Sequence, residues 1–274
     1  MDVRQSEEYA NYIKSLGWQV EKLRKTYVFI RKFPLIGSLI KIQRIVPPIP
    51  FKEIEKLAQK HRAFQIVIEP AQGEIKGEEK FGYRSYRSPF IPSKTLVKNL
   101  LAKEEEIFNS LSKNKRRDVK AAQKNNLSIK EGKVEDFILL KKTYLLGRFI
   151  LPLGTGRDIK KICRAFEAKK KLLIAYADHQ PVAGLILLLH DKTGYYWQAA
   201  ATKAGKKLLA PTLLLWEAIK LAKKSGCQHF DFEGVADPRF PQQKSWQGFT
   251  HFKKGFRGQE IVYPQPLRKT KMLF

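Results

Sequence analysis

Residues 227–263 read C-Q-H-F-D-F-E-G-V-A-D-P-R-F-P-Q-Q-K-S-W-Q-G-F-T-H-F-K-K-G-F-R-G-Q-E-I-V-Y. The run from His229 to Phe232 is apolar and aromatic, carries Asp231 and Glu233, and stops at Gly234. That is the pattern of a buried strand whose carboxyl end opens into a loop. Pro238 and Pro241 keep the next stretch irregular. From Gly248 to Gly258 the spacing of Phe249, Phe252 and Phe256 predicts a short helix, with Lys253, Lys254 and Arg257 between the rings. Acids at a strand end facing a cationic helix can form a polar site over an apolar floor. A core strand followed by a solvated basic helix explains the same residues.

Upstream, the order of elements repeats an α+β theme. Ser6 can cap a helix that ends at Gly17. Residues 18–23 and 27–32 read as a hairpin, and 39–46 as a third strand broken by Pro47 and Pro48. A helix over 51–61 and a buried strand over 64–68 close this block. Residues 71–93 read as a long loop, with Tyr83, Arg84, Tyr86 and Arg87 giving it an aromatic, basic character. The pattern then predicts one helix over 101–126, a short strand at 127–129, and helices over 134–149 and 158–168. Strands over 171–177, 182–190 and 195–201 form a meander, followed by an amphipathic helix over 208–224 that stops at Gly226. This second order matches an acyl-CoA N-acetyltransferase (GNAT) domain, a correspondence that is partly analogy. In such domains the loop after the central strand holds a pyrophosphate on backbone N–H groups. Here that place is Thr202-Lys-Ala-Gly-Lys-Lys207, which lacks the usual glycine spacing. Coenzyme A is therefore disfavoured, although Lys203 and Lys206 could hold a phosphate.

The bulk properties set bounds. The chain has 274 residues, 43% of them hydrophobic, enough for one large domain or two small ones. Fifty-three Lys and Arg against 26 Asp and Glu give a formal charge of +27, which suits polyanions: nucleic acid, anionic lipid or phosphorylated substrates. The densest basic run is Lys113 to Lys124, including Lys115, Arg116 and Arg117. Most such runs are solvated faces, but a rigid basic helix also fits an anion. Two cysteines, Cys163 and Cys227, imply no disulfide framework and fit a reducing cytosol. The N-terminus shows no signal core, and the longest apolar run is too short to span a bilayer. No metal-ligand spacing appears among the five histidines, so no metal site is expected, and with no Walker A loop and no G-x-G-x-x-G no cofactor is expected.

Several stretches resemble the FemX/FemAB family of peptidoglycan interpeptide-bridge aminoacyltransferases. Phe230-Asp-Phe-Glu-Gly234 followed by Gly248-Phe-Thr-His-Phe-Lys-Lys-Gly-Phe256 is similar to the family's D-F-x-G and G-x-x-x-F-K-x-G-F signature. Gln5-Ser6 with Gly17-Trp18, residues 111–123, and Leu208-Leu-Ala-Pro-Thr-Leu213 resemble further family segments. The long helical-hairpin insertion of the FemA branch has no counterpart, so the likeness is to the compact FemX type. It implies two GNAT-like domains with a cleft between them: 1–100, completed by 259–274, and 101–258. It also implies an aminoacyl-tRNA donor. The implied acceptor is the stem-peptide amine of a peptidoglycan precursor, either UDP-MurNAc-pentapeptide or a lipid-linked form (lipid II). A cytoplasmic protein that makes peripheral contact with the anionic inner membrane face fits the same charge.

By the same resemblance, Phe252 and Lys253 would meet the aminoacyl end, and Arg148 would lie on the acceptor side. Lys253 is the candidate catalytic cation, since aminolysis of an ester passes through an oxyanion that a fixed cation stabilises. Tyr196, Asp231 and Glu233 are further substrate-side candidates, the two acids more plainly as groups that hold Lys253 or backbone donors. Lys115, Arg116, Arg117, Lys203 and Lys206 are the candidate tRNA or phosphate contacts. Two other classes remain open: an acyl-CoA-dependent N-acyltransferase, and a non-catalytic RNA- or anionic-surface-binding protein on a GNAT scaffold.

Overall fold

The structure, a computed structural model, describes residues 1–271. The chain divides into two compact units. One comprises Met1–Lys94, Ala236–Lys244 and the chain from Val262 onward; the other comprises Thr95–Val235 and Ser245–Ile261.

The elements up to residue 99 are α1 (Glu7–Ser15), β1 (Gln19–Leu23), β2 (Thr26–Phe33), β3 (Gly37–Ile45), α2 (Phe51–Lys60), β4 (Ala63–Pro70), β5 (Arg84–Ser85) and β6 (Lys94–Asn99). Then come α3 (Glu104–Asn109), α4 (Lys113–Lys124), β7 (Ser128–Glu131), α5 (Val134–Leu146), α6 (Thr155–Ala165), β8 (Lys170–Ala177), β9 (Gln180–His190) and β10 (Thr193–Ala201). The rest are α7 (Lys203–Lys207), α8 (Ala210–Lys224), β11 (His229–Gly234), α9 (Gln247–Lys254), β12 (Gln259–Val262) and β13 (Leu267–Thr270).

In the first unit, Ser6 Oγ accepts the N–H of Tyr9 at 3.1 Å and starts α1. The sheet runs β1-β2-β3-β4-β13-β5. β3 and β4 are parallel, as the α2 crossover between them requires. Ile30, Ile40, Ile42, Ile54, Ile66 and Ile68 are fully buried in its core. β13 lies antiparallel to β4, Leu267 opposite Ile68, so the C-terminal stretch belongs to this sheet. Residues 272–274 of the segment expected to complete the first domain lie outside the described residues.

The second unit has a sheet ordered β12-β6-β11-β10-β9-β8-β7. β10 and β11 run parallel, joined by α8, whose Leu214, Leu215, Ala218 and Ala222 are buried with Leu185, Leu187, Phe230 and Phe232. Each such large side chain contributes roughly 1.5–3 kcal/mol on burial.

Two expectations change. Residues 94–99, read without a strand and grouped with the first block, form β6 against β11 in the second sheet. The helix expected over 101–126 is two helices, because the Ser112 hydroxyl caps the N–H of Lys115 (3.3 Å) and starts α4 afresh.

Candidate active site

β11 supplies the floor. Phe230 and Phe232 are fully buried, their rings 5.1 Å apart, and Phe256 lies 6.1 Å from Phe232. Asp231 stands between them in sequence; its Oδ1 accepts the hydroxyl of Thr95 on β6 and the N–H of Glu233 (2.7 Å). The strand pairing slips between Asp231 and Gly234, and Glu233 sits at φ +59°, in the left-handed region. A bulge of this kind re-aims the backbone. Non-glycine residues held there cluster at functional sites.

The re-aimed backbone meets α9. Lys253 Nζ donates to the carbonyl of Gly234 at 2.7 Å. The residue is only 7% exposed, with its ammonium 4.9 Å from the Phe249 ring and 5.6 Å from the Tyr196 ring. Desolvation lowers its pKa from 10.5 to about 8, against the opposing pull of Glu233 and Asp231. The neighbouring Lys254 is half exposed and pairs with Glu260 at 2.9 Å. One helical step thus separates a desolvated cation from a solvated one. Burial raises the Tyr196 phenol above its ordinary value, which keeps it a neutral donor.

A second buried ammonium, absent from the sequence-based candidates, holds the end of the same helix. Lys98 on β6 donates to Ser110 Oγ (2.7 Å) and to the carbonyls of Phe256 (3.0 Å) and Arg257 (3.4 Å). Burial takes its pKa down to about 8. Thr95 and Lys98 were missed because the strand that carries them was missed. The β-branched and apolar run Thr95-Leu96-Val97 just after Pro92 was the available signal.

The remaining candidates fall in two groups. Lys115 lies with its ammonium 4.6 Å over the Phe252 ring and paired with Asp118 at 3.4 Å. Arg116 Nη1 donates to the carbonyls of Asn109 and Leu111. Arg117 is exposed, as are Lys113, Lys120 and Lys124 on the same helix. Arg148 and Lys206 gather instead around Tyr144 on α5: Arg148 Nη1 donates to its hydroxyl at 2.8 Å, and Lys206 Nζ lies 5.9 Å from its ring. Lys203 is exposed at the start of α7. In that turn Thr202 Oγ1 accepts the Gly205 N–H (3.0 Å), so the chain itself occupies a donor that a pyrophosphate loop would present. Among the described residues no group of His, Cys, Asp and Glu is arranged to hold a metal ion, and no helix is long and apolar enough to cross a membrane.

Comparisons with known proteins agree with this architecture. The family model described as an acetyltransferase (GNAT) domain matches residues 153–244. No curated protein sequence matches the chain. Among solved structures, FemX superposes with a TM-score of 0.81 at 14% identity, covering 98% of this chain and 92% of that one. The C-terminal domain of a protein assigned as a lysylphosphatidylglycerol synthetase from Agrobacterium fabrum gives 0.63 at 11% identity, covering 97% and 87%. A tandem GNAT protein from the clavulanic acid biosynthesis pathway gives 0.52 at 9% identity, covering 89% and 82%. The chain is FemX-like in fold, a mixed α+β protein built of two GNAT-like domains.

Proposed function

We propose that the protein is an aminoacyltransferase. It moves an amino acid from aminoacyl-tRNA to the stem-peptide amine of a peptidoglycan precursor, UDP-MurNAc-pentapeptide or lipid II. The observation that carries this reading is the desolvated Lys253 ammonium at the bulged end of β11, in a fold shared with FemX. In the reaction the acceptor nitrogen forms a bond to the ester carbonyl carbon. The C–O bond to the terminal ribose then breaks, and the proton lost by the amine ends on the ribose oxygen. Lys253 stabilises the tetrahedral oxyanion between those events. Asp231 and Thr95 hold the bulge in place, and Phe252 covers the aminoacyl end. A cytoplasmic enzyme at the inner membrane face belongs to the same reading. The test is direct: purified protein, charged tRNAs and the UDP-linked pentapeptide, read by mass. Transfer from an acyl-coenzyme A in place of charged tRNA would favour the acyl-CoA alternative.

The same assay has an expected pH profile. Lys253, with a pKa of about 8 and facing Glu233, Asp231 and Tyr196, acts as a cation. The ratio of parent to Lys253→Met turnover, in which ionisation of the acceptor amine cancels, should therefore fall as pH rises through about 8. Stability should move the other way. Below about 8 the folded chain carries a buried ammonium at a cost the unfolded chain, near 10.5, does not have. Lys98 contributes with the same sign. Stability from these groups thus rises between about 8 and 10.5. A ratio that instead climbs through this range would make Lys253 a base.

The exposed face of α4 is the proposed tRNA-binding surface. Reversing Lys113, Arg117 and Lys120 to Glu should weaken tRNA binding, and every phosphate that is no longer neutralised should reduce the salt slope by about one. Lys115 and Arg116 are engaged in packing and in backbone carbonyls. Replacing them should register first as a fall in stability. Filter binding across a salt series separates the two, and an unchanged slope for the triple reversal would make α4 a merely solvated face.

A further inference from the structure

The connection between α5 and α6 leaves large apolar side chains in water. Phe149 is 100% exposed, Leu153 83% and Leu151 74%, and Leu146 and Ile150 are also exposed. Phe149 is held at φ +58°, which is costly for an aromatic residue. A contiguous exposed apolar patch of this kind marks an interaction surface. Its surroundings are basic. Between α5 and α6 runs an open groove of about 650 Å³ lined in part by Ile138, Leu139 and Gly156. Lys142, Arg157, Lys160, Lys161 and Arg164 line the rest, with Glu135 as the lining acid, paired to Lys160 at 3.3 Å. Asp158 is exposed on α6 and Arg148 flanks Phe149.

We infer that the α5–α6 turn docks the protein on an anionic lipid bilayer. Phe149, Leu151 and Leu153 enter the boundary between headgroups and acyl chains, and the exposed cations along the groove, Lys142, Arg157 and Arg164, meet headgroup phosphates. Apolar tips decide for lipid over RNA. A phosphate backbone would use the cations and leave Phe149, Leu151 and Leu153 in water, whereas an interfacial element requires both signals together. The negative surface potential of such a membrane complements the cations and the overall charge of +27. The inference deepens the membrane-face reading above and rests on it, but it needs no statement about the reaction.

The experiment uses the full chain and vesicles, without tRNA or acceptor, so its failure leaves the transfer reading intact. A failed transfer assay likewise leaves docking intact. Vesicles are phosphatidylcholine alone, or phosphatidylcholine and phosphatidylglycerol in equal parts. The protein should co-sediment with the second and not the first. Phe149→Ser/Leu151→Ser/Leu153→Ser should lower the partition coefficient about tenfold or more, with an unchanged melting temperature because all three side chains are exposed. Lys161→Glu/Arg164→Glu should weaken binding most at low salt. Phe149→Trp should shift its emission to the blue on adding anionic vesicles. Absence of binding to the anionic vesicles, or a triple serine variant that binds like the parent, overturns the inference. So does a charge-reversal pair that binds the anionic vesicles like the parent at low salt.

Discussion

Lys253→Met is expected to lower turnover by about two to three orders of magnitude, the range seen when one oxyanion donor is removed, while the protein stays folded. The residue is 7% exposed and reaches Gly234 at 2.7 Å. In such a site a fixed ammonium acts on a developing negative charge with far less screening than in bulk water. Met keeps much of the stem volume. The Gly234 carbonyl loses its partner, at about 1–3 kcal/mol, but the cost of burying an ammonium disappears with it, so the net change in stability is small. Lys254→Met is the control. Lys254 is half exposed and pairs with Glu260, an interaction worth little at a surface. Side-by-side kinetics decide the matter. Equal, small losses would move the oxyanion role to backbone N–H groups near Gly255 or Gly234.

The division between these two lysines shows how far the sequence could be read. Phe249, Phe252 and Phe256 at helical spacing place Lys253 and Lys254 on different sides of one short helix, and the structure buries the first and exposes the second. The strand ending in Asp231 and Glu233 was legible for a similar reason, since aromatic residues alternating with acids have few other uses. The bulge was not legible. Thr95, on a strand that periodicity alone did not separate from the preceding loop, donates its hydroxyl there to the Asp231 carboxylate and the Glu233 carbonyl. Lys98 went unseen for the same reason: its partners, Ser110, Phe256 and Arg257, are far away in sequence. The basic helix misled in another way. Charge density says nothing about direction, and only the fold shows that Lys115 and Arg116 turn inward while Arg117 faces water.

Lys115 also explains the glycine of the F-K-x-G-F motif, through an effect that should change sign. Gly255 has helical dihedrals, φ −62° and ψ −25°, so its backbone alone would accept alanine. In an open helical setting that exchange stabilises by roughly 0.4–1 kcal/mol. Here an added Cβ would lie 2.7 Å from Cγ and 3.0 Å from Cε of Lys115. The clash is with the middle of the stem, which is held between Phe252 and Asp118 and cannot simply swing aside. Overpacking of this kind costs about 1–3 kcal/mol, more than the backbone gain. Gly255→Ala should therefore lower stability in denaturant titration and, by displacing the end of α9, reduce turnover as well. In a Lys115→Ala background the obstructing stem is gone, and the same Gly255→Ala change should become neutral or stabilising. The double-mutant cycle reads the difference as a coupling energy. If Gly255→Ala costs the same in both backgrounds, the Lys115 stem is not what keeps this position glycine, and the approach of the Phe252 carbonyl, 3.3 Å from the added carbon, is the remaining cause.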